Sequence, residues 1–231
     1  MAQSVASRIQ EARSGTSEIA PKTTRALLVC GVVSGPLFTV VAVVQVLTRE
    51  GFDIRRHAIS MLSLGDLGPI QIANFVGTGV LAIACAIGMR RMLSRGRGGT
   101  WGPLFVCAYG LGLLTAGIFR TDPALGFPPG AAPAGLGAMS WHGTIHSIAF
   151  FVLFLSVIGA CFVFARRFAA LGQQGWAAFS VAIGLAAPAL IVAGMVGPIG
   201  AGMPFLFAAV IAFGGVSAIA ASLLNELPRT E

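Results

Sequence analysis

Hydrophobic and polar residues in this chain segregate into blocks. Each apolar block is long enough for the roughly 20 residues that an α-helix needs to cross a hydrocarbon core about 30 Å thick. Six such blocks stand at about 26–48, 70–89, 101–119, 143–165, 176–197 and 202–224. Backbone polar groups cannot go unpaired in lipid, and runs without alternation are not barrel strands, so the blocks predict helices. The expected fold is all-α, a polytopic integral membrane bundle of six transmembrane helices over residues 25–226. Residues 1–24 are polar and mixed in charge, without the apolar core of a signal peptide, and read as a mobile tail. A short amphipathic helix around Val5 to Ala12 is only weakly signalled, and 227–231 forms a second short tail.

Composition agrees with the pattern. Charged residues make up 10% of the chain and the mean hydropathy is +0.86, against about 25% charged residues in an ordinary soluble domain. The net charge of +7 matters through its distribution. Eleven of the fifteen basic residues, Arg8, Arg13, Lys22, Arg25, Arg90, Arg91, Arg95, Arg97, Arg166, Arg167 and Arg229, fall on one side of a six-span topology. Arg49, Arg55, Arg56 and Arg120 fall on the other. Cytoplasmic loops carry the Lys/Arg excess, so both termini are expected inside a plasma-membrane, multi-pass protein. The charge then needs no nucleic-acid partner. Membrane lipids are the expected partners, and a protein partner or homo-oligomer stays open. The spans carry no Asp, Glu, Lys or Arg at mid-depth, which argues against a proton-coupled pump.

All three histidines fall on the predicted external side. His142 and His146 lie one helical turn apart in "WHGTIH" and share a helix face. That is a metal-ligand spacing, and zinc with Asp122 or His57 as third ligand is one reading. The residue after the first histidine, where a His-Glu-x-x-His helix carries its general base, is Gly143. The other reading makes both histidines interfacial residues that cap helix ends. His57 and Ser60 are spaced as a base and a nucleophile, although such a serine is more often a turn residue. Arg55, Arg56 and Arg120 are candidate ligands for a lipid phosphate, or snorkelling side chains. Asp122 is a candidate catalytic or metal-binding carboxylate, or a helix cap. "HAISMLSLGDLGP" predicts a short helix lying in the interface and then a turn into the second span at Pro69. Residues 120–141, rich in proline and glycine, read as a lid over the histidines.

Within the spans, Gly31 and Gly35 have the spacing that lets helices approach closely. Pro36 and Pro188 are expected to kink their helices. Cys30, Cys85, Cys107 and Cys161 have no paired spacing and read as packing residues.

The stretch "HAISMLSLGDLGPIQIANFVGTGVLAIACAIGMRR", followed by "GIFRTDP" and "WHGTIHSIAFFVLF", resembles the bacterial and archaeal six-helix membrane family catalogued as domain of unknown function 998. His57, Ser60, Ser63, Gly65, Asp122, His142 and His146 carry the resemblance. It implies a six-helix bundle and no established activity. A fainter similarity in motif order links the chain to DRAM-type membrane proteins. Alkaline ceramidases and the progestin and adiponectin receptor family are similar in site chemistry, combining Ser, His and Asp with a His-x-x-x-His pair around zinc. That analogy would engage Ser60, His57, Asp122, His142 and His146, but those proteins have seven helices and place the Ser ahead of its His. Two readings of function follow. One is an extracytoplasmic polar pocket that binds a lipid headgroup, small amphiphile or partner protein. The alternative is a zinc-dependent membrane hydrolase acting on a lipid.

Overall fold

The computed structural model describes the backbone of residues 2–93, 98–131, 139–196 and 200–228, and side chains from Lys22 onward. Six helices carry the fold: α1 (Ala2–Thr48), α2 (Gly68–Leu93), α3 (Trp101–Ile118), α4 (Trp141–Ala170), α5 (Gln174–Val196) and α6 (Gly202–Glu226). All six are long and apolar enough to cross a membrane, α1 through its portion Lys22–Thr48. The polar segment read as a tail is helical backbone continuous with α1. Its Ala, Gln, Arg and Glu are favourable helix formers, and helix formation needs no apolar face once a nucleus exists next door.

Each helix packs on its neighbours in the chain, and α6 closes the ring against α1. Because the helix number is even, the start of the α1 span and the end of α6 lie at the same end of the bundle, with Arg25 donating to the Pro228 carbonyl at 3.0 Å. Large apolar side chains cover the outside: Leu47 is 78%, Leu155 65% and Val196 80% exposed. Such a surface suits lipid and would be an aggregation hazard in water. Inside, the rings of Phe38, Tyr109 and Phe154 gather around Phe213 of α6, with centroids 4.7, 5.1 and 6.1 Å away.

The α1–α6 seam shows how small residues set helix spacing. A Cβ on Gly35 would stand 2.5 Å from the carbonyl oxygen of Phe213, so only glycine permits this approach. Ser217 of α6 then reaches into α1. Its hydroxyl accepts from the Gly35 amide at 3.0 Å and donates to the Gly31 carbonyl at 2.8 Å. Those are two groups that an undisturbed helix pairs directly. Pro36 follows at once and supplies no N–H, so α1 is weakest where Ser217 braces it. The cysteines are free, and buried Cys85 packs its sulfur under Gly31, as a small packing residue does.

Two connections meet at the end of the bundle that holds the histidines. Residues Ile59–Ser63 form a 3₁₀ turn. Its Ile59, Met61 and Leu62 are buried against the protein. The short helix expected to lie in the membrane interface is therefore a plug in the mouth of the bundle. Its apolar side chains find a drier partner in α1, α2 and α6 than in headgroups. The start of α6 presses on the same segment, since a Cβ on Gly202 would collide with the Ile54 carbonyl.

Candidate functional site

The connection after α3 folds over the connection after α1. Ala124–Phe127 is a tight antiparallel turn in which the Phe127 amide donates to the Ala124 carbonyl at 3.0 Å. Its central residues Leu125 and Gly126 have φ of +56° and +81°, the arrangement of a mirror-image hairpin turn. Glycine enters that region freely, whereas leucine pays a steric penalty of roughly 1–2 kcal/mol. His57 holds the turn in place. The Asp53 amide donates to His57 Nδ1 at 2.9 Å, so the proton sits on Nε2, which donates to the Leu125 carbonyl at 3.2 Å. The ring also packs between Phe52 and Phe127, at centroid distances of 5.4 Å to each. Both nitrogens are thereby used, and neither is left to ligate a metal or to activate Ser60. The described part of the segment read as a lid covers His57, while 132–138 lies outside the described residues.

Asp122 proves to be part of a cap. Its carboxylate accepts from the backbone amide of Ser140 at 2.9 Å and from the Ser140 hydroxyl. Ser140 is the N-cap of α4 and accepts from the Gly143 amide at 3.0 Å. The negative charge thus lies at the positive end of the helix dipole. This explains why Gly143 stands where a metalloprotease helix has its glutamate. Any Cβ there would run into the Asp122 carboxylate.

The two histidines of α4 diverge. His142 is exposed and lies against Trp141 and Phe119, with ring centroids 3.6 and 5.7 Å away. His146 is buried. Its Nδ1 donates to the Phe119 carbonyl at 2.8 Å and the Ala116 carbonyl at 3.2 Å, satisfying acceptors left open at the end of α3. That leaves Nε2 as a hydrogen-bond acceptor. Among the described residues no three His, Cys, Asp or Glu side chains come together as a metal would require. His57, Asp122, His142 and His146 do not fit a zinc centre here.

The arginines are likewise dispersed. Arg55 grips the Asp53 carboxylate through Nε and Nη2, both at 3.0 Å, and this holds the Asp53 carboxyl below the usual carboxylate range. Arg56 donates to the Leu125 carbonyl at 3.4 Å. Arg120 is exposed, with no hydrogen-bond partner among the described residues.

What the structure does assemble is a cleft of about 270 Å³ beneath the 3₁₀ turn. Phe38, Phe75, Phe150, Phe154, Phe205 and Phe213 supply most of its wall, and Ser60, Thr121, His146 and Ser147 supply its polar groups. The lining Phe151 and Met195 are 46% and 57% exposed, so the cleft opens between α4 and α5 onto the lipid-facing surface. Composition does not reveal this cleft, because its phenylalanines come from four helices that sequence alone cannot align.

A buried amide cluster stands apart from the residues that the motifs single out. Gln45 Nε2 donates to Gln71 Oε1 at 2.7 Å, and Asn74 Nδ2 donates to the Phe38 carbonyl at 3.1 Å. The available signal was Gln71, Asn74 and Thr78 on one face of an otherwise apolar span.

Fold and surface define a multi-pass membrane protein. The family model described as "Protein of unknown function (DUF998)" matches residues 32–224, and the chain belongs to that family. Comparison with curated proteins and with solved structures gives no match.

Proposed function

We propose that the protein binds a membrane amphiphile in the cleft beneath the 3₁₀ turn. The observation that carries this reading is the cleft itself, walled by aromatic rings, open to the lipid side, and furnished with one buried acceptor at His146. Binding sites of this kind combine a mostly apolar wall with a few placed polar groups, and typically enclose roughly 300–1,000 Å³. At about 270 Å³ the cleft lies just below that range, a size that suits a single chain. The polar head would lie by Ser60, Thr121 and His146, with exposed Arg120 adjoining Thr121 and Arg56 nearby along the chain. The arginine distribution supports an extracytoplasmic mouth, in the plasma membrane, as part of this reading. Among the described residues, no assembled ligand set or nucleophile pair supports the hydrolase alternative.

Mass spectrometry of lipids extracted from detergent-purified protein tests the proposal. One amphiphile class should accompany the wild type well above its share of the membrane, and Ser147→Trp, which fills the cleft wall, should reduce it at least fivefold. Equal recovery from a well-folded Ser147→Trp variant would refute the site.

A further inference from the structure

Two grooves meet at the opposite end of the bundle, away from the cleft. Arg166 and Arg167 line a groove between the end of α4 and the start of α3, together with Thr100, Trp101 and Val163. Arg90 adjoins it, donating to the Gly99 carbonyl at 2.6 Å and to Thr100 Oγ1 at 3.2 Å. Among the residues whose side chains are described, the acid at this end is Glu226, and it is committed to Arg167 at 2.7 Å. Arg166 is exposed and has no hydrogen-bond partner among the described residues. Its charge is therefore available to a ligand.

Depth identifies the setting. α4 is 30 residues long, and at about 1.5 Å per residue it outruns a hydrocarbon core about 30 Å thick. Arg166, four residues from its end, falls in the headgroup layer. Trp101 is 64% exposed beside it, the position of an interfacial aromatic anchor.

A second groove begins at the same arginine. Arg166 also lines a furrow between α4 and α5 whose other walls include Phe162, Ala165, Ala178 and Val181. One exposed cation thus joins a basic recess to an apolar track along the lipid-facing surface. We infer that this junction binds an anionic phospholipid, with Arg166 on the phosphate and an acyl chain along the α4–α5 furrow. A free phosphate would use the arginine and leave the furrow without a role. Basic pockets between membrane helices bind phospholipid headgroups by the same attraction.

Native mass spectrometry of the full chain, titrated with phosphatidylglycerol or phosphatidylcholine of identical acyl chains, reads the inference directly. Phosphatidylglycerol should be retained in preference. Arg166→Gln should lower its retention roughly fivefold, the worth of one basic residue at an anionic surface, while Arg166→Lys keeps part of it. Ala178→Trp, which blocks the furrow, should also lower retention. Arg25→Gln removes the same charge at the same end outside the groove and should have little effect. The assignment is overturned if Arg166→Gln binds like wild type or if Arg25→Gln matches its loss. Displacement of the lipid by millimolar inorganic phosphate, with Ala178→Trp silent, would overturn it in favour of a free-anion site. Both exposed positions permit folding, checked by helical content and elution volume.

Discussion

Leu125 occupies a backbone conformation that its own side chain resists, at φ +56°, and it remains 41% exposed. Little packing is gained there to offset the strain, so the conformation is imposed by the contacts on either side. His57 and Arg56 both donate to the Leu125 carbonyl, and Phe127, two residues on, is buried in a small apolar cluster with Met61 and Leu64. Replacing Leu125 with asparagine, which tolerates the left-handed region, should relieve roughly 1 kcal/mol of strain. In a chain of this length that corresponds to a rise of about 2–4 °C in melting temperature. A thermal melt in detergent checks it, and an unchanged or lower value would mean the leucine side chain contributes packing that its exposure hides. The residues of the candidate site were legible as residue types, but their partners were not. His57 bonds a carbonyl in another connection, and His146 bonds two carbonyls at the end of a different helix. No spacing rule relates those atoms, because backbone carbonyls carry no sequence signature.

Elements were legible where hydropathy alone decides them. All six spans stand within a few residues of the expected blocks, and Gly31 and Gly35 do lie at a close seam. The 3₁₀ turn was legible as an apolar segment, but whether its apolar side faces lipid or protein depends on the gap left by the surrounding helices. The α1–α6 brace was invisible for a similar reason: Ser217 reads as an ordinary polar residue in an apolar run. Its hydroxyl serves a donor and an acceptor at once, so Ser217→Ala leaves the buried Gly35 amide without that partner. The cost should be about 1–3 kcal/mol. This predicts a lower melting temperature for Ser217→Ala, with partial recovery in Ser217→Thr, which restores the hydroxyl. A melt of Ser217→Ala equal to wild type would show that the Gly35 amide returns to an ordinary intrahelical bond at no cost.

At the scale of the whole molecule, each end of the bundle commits several of its cations to the protein and leaves one exposed. At the histidine end, Arg49 donates to the Leu62 and Leu64 carbonyls, Arg55 is neutralised by Asp53, and Arg56 reaches the Leu125 carbonyl. These three cations stitch connections together, and Arg120 is exposed without a partner among the described residues. At the other end, Arg166 is exposed without a partner among the described residues, and Arg90 and Arg91 line a separate groove between α2 and α3 that shares Thr100 with one of its grooves. Translocating an arginine is costly, and the positive-inside rule counts uncommitted and committed residues alike. The expectation that both termini lie inside therefore rests on the full count, eleven basic residues at the end with the termini against four at the histidine end. Fusing a reporter that fluoresces only in the cytoplasm to the C-terminus should give signal, and one active only outside should give none. A probe in the turn at Gly126, at the histidine end, should give the opposite pattern. If the C-terminal fusion were instead active outside, the cleft mouth would face the cytoplasm. The amphiphile it takes would then be drawn from the inner leaflet, and the basic grooves would meet the outer one.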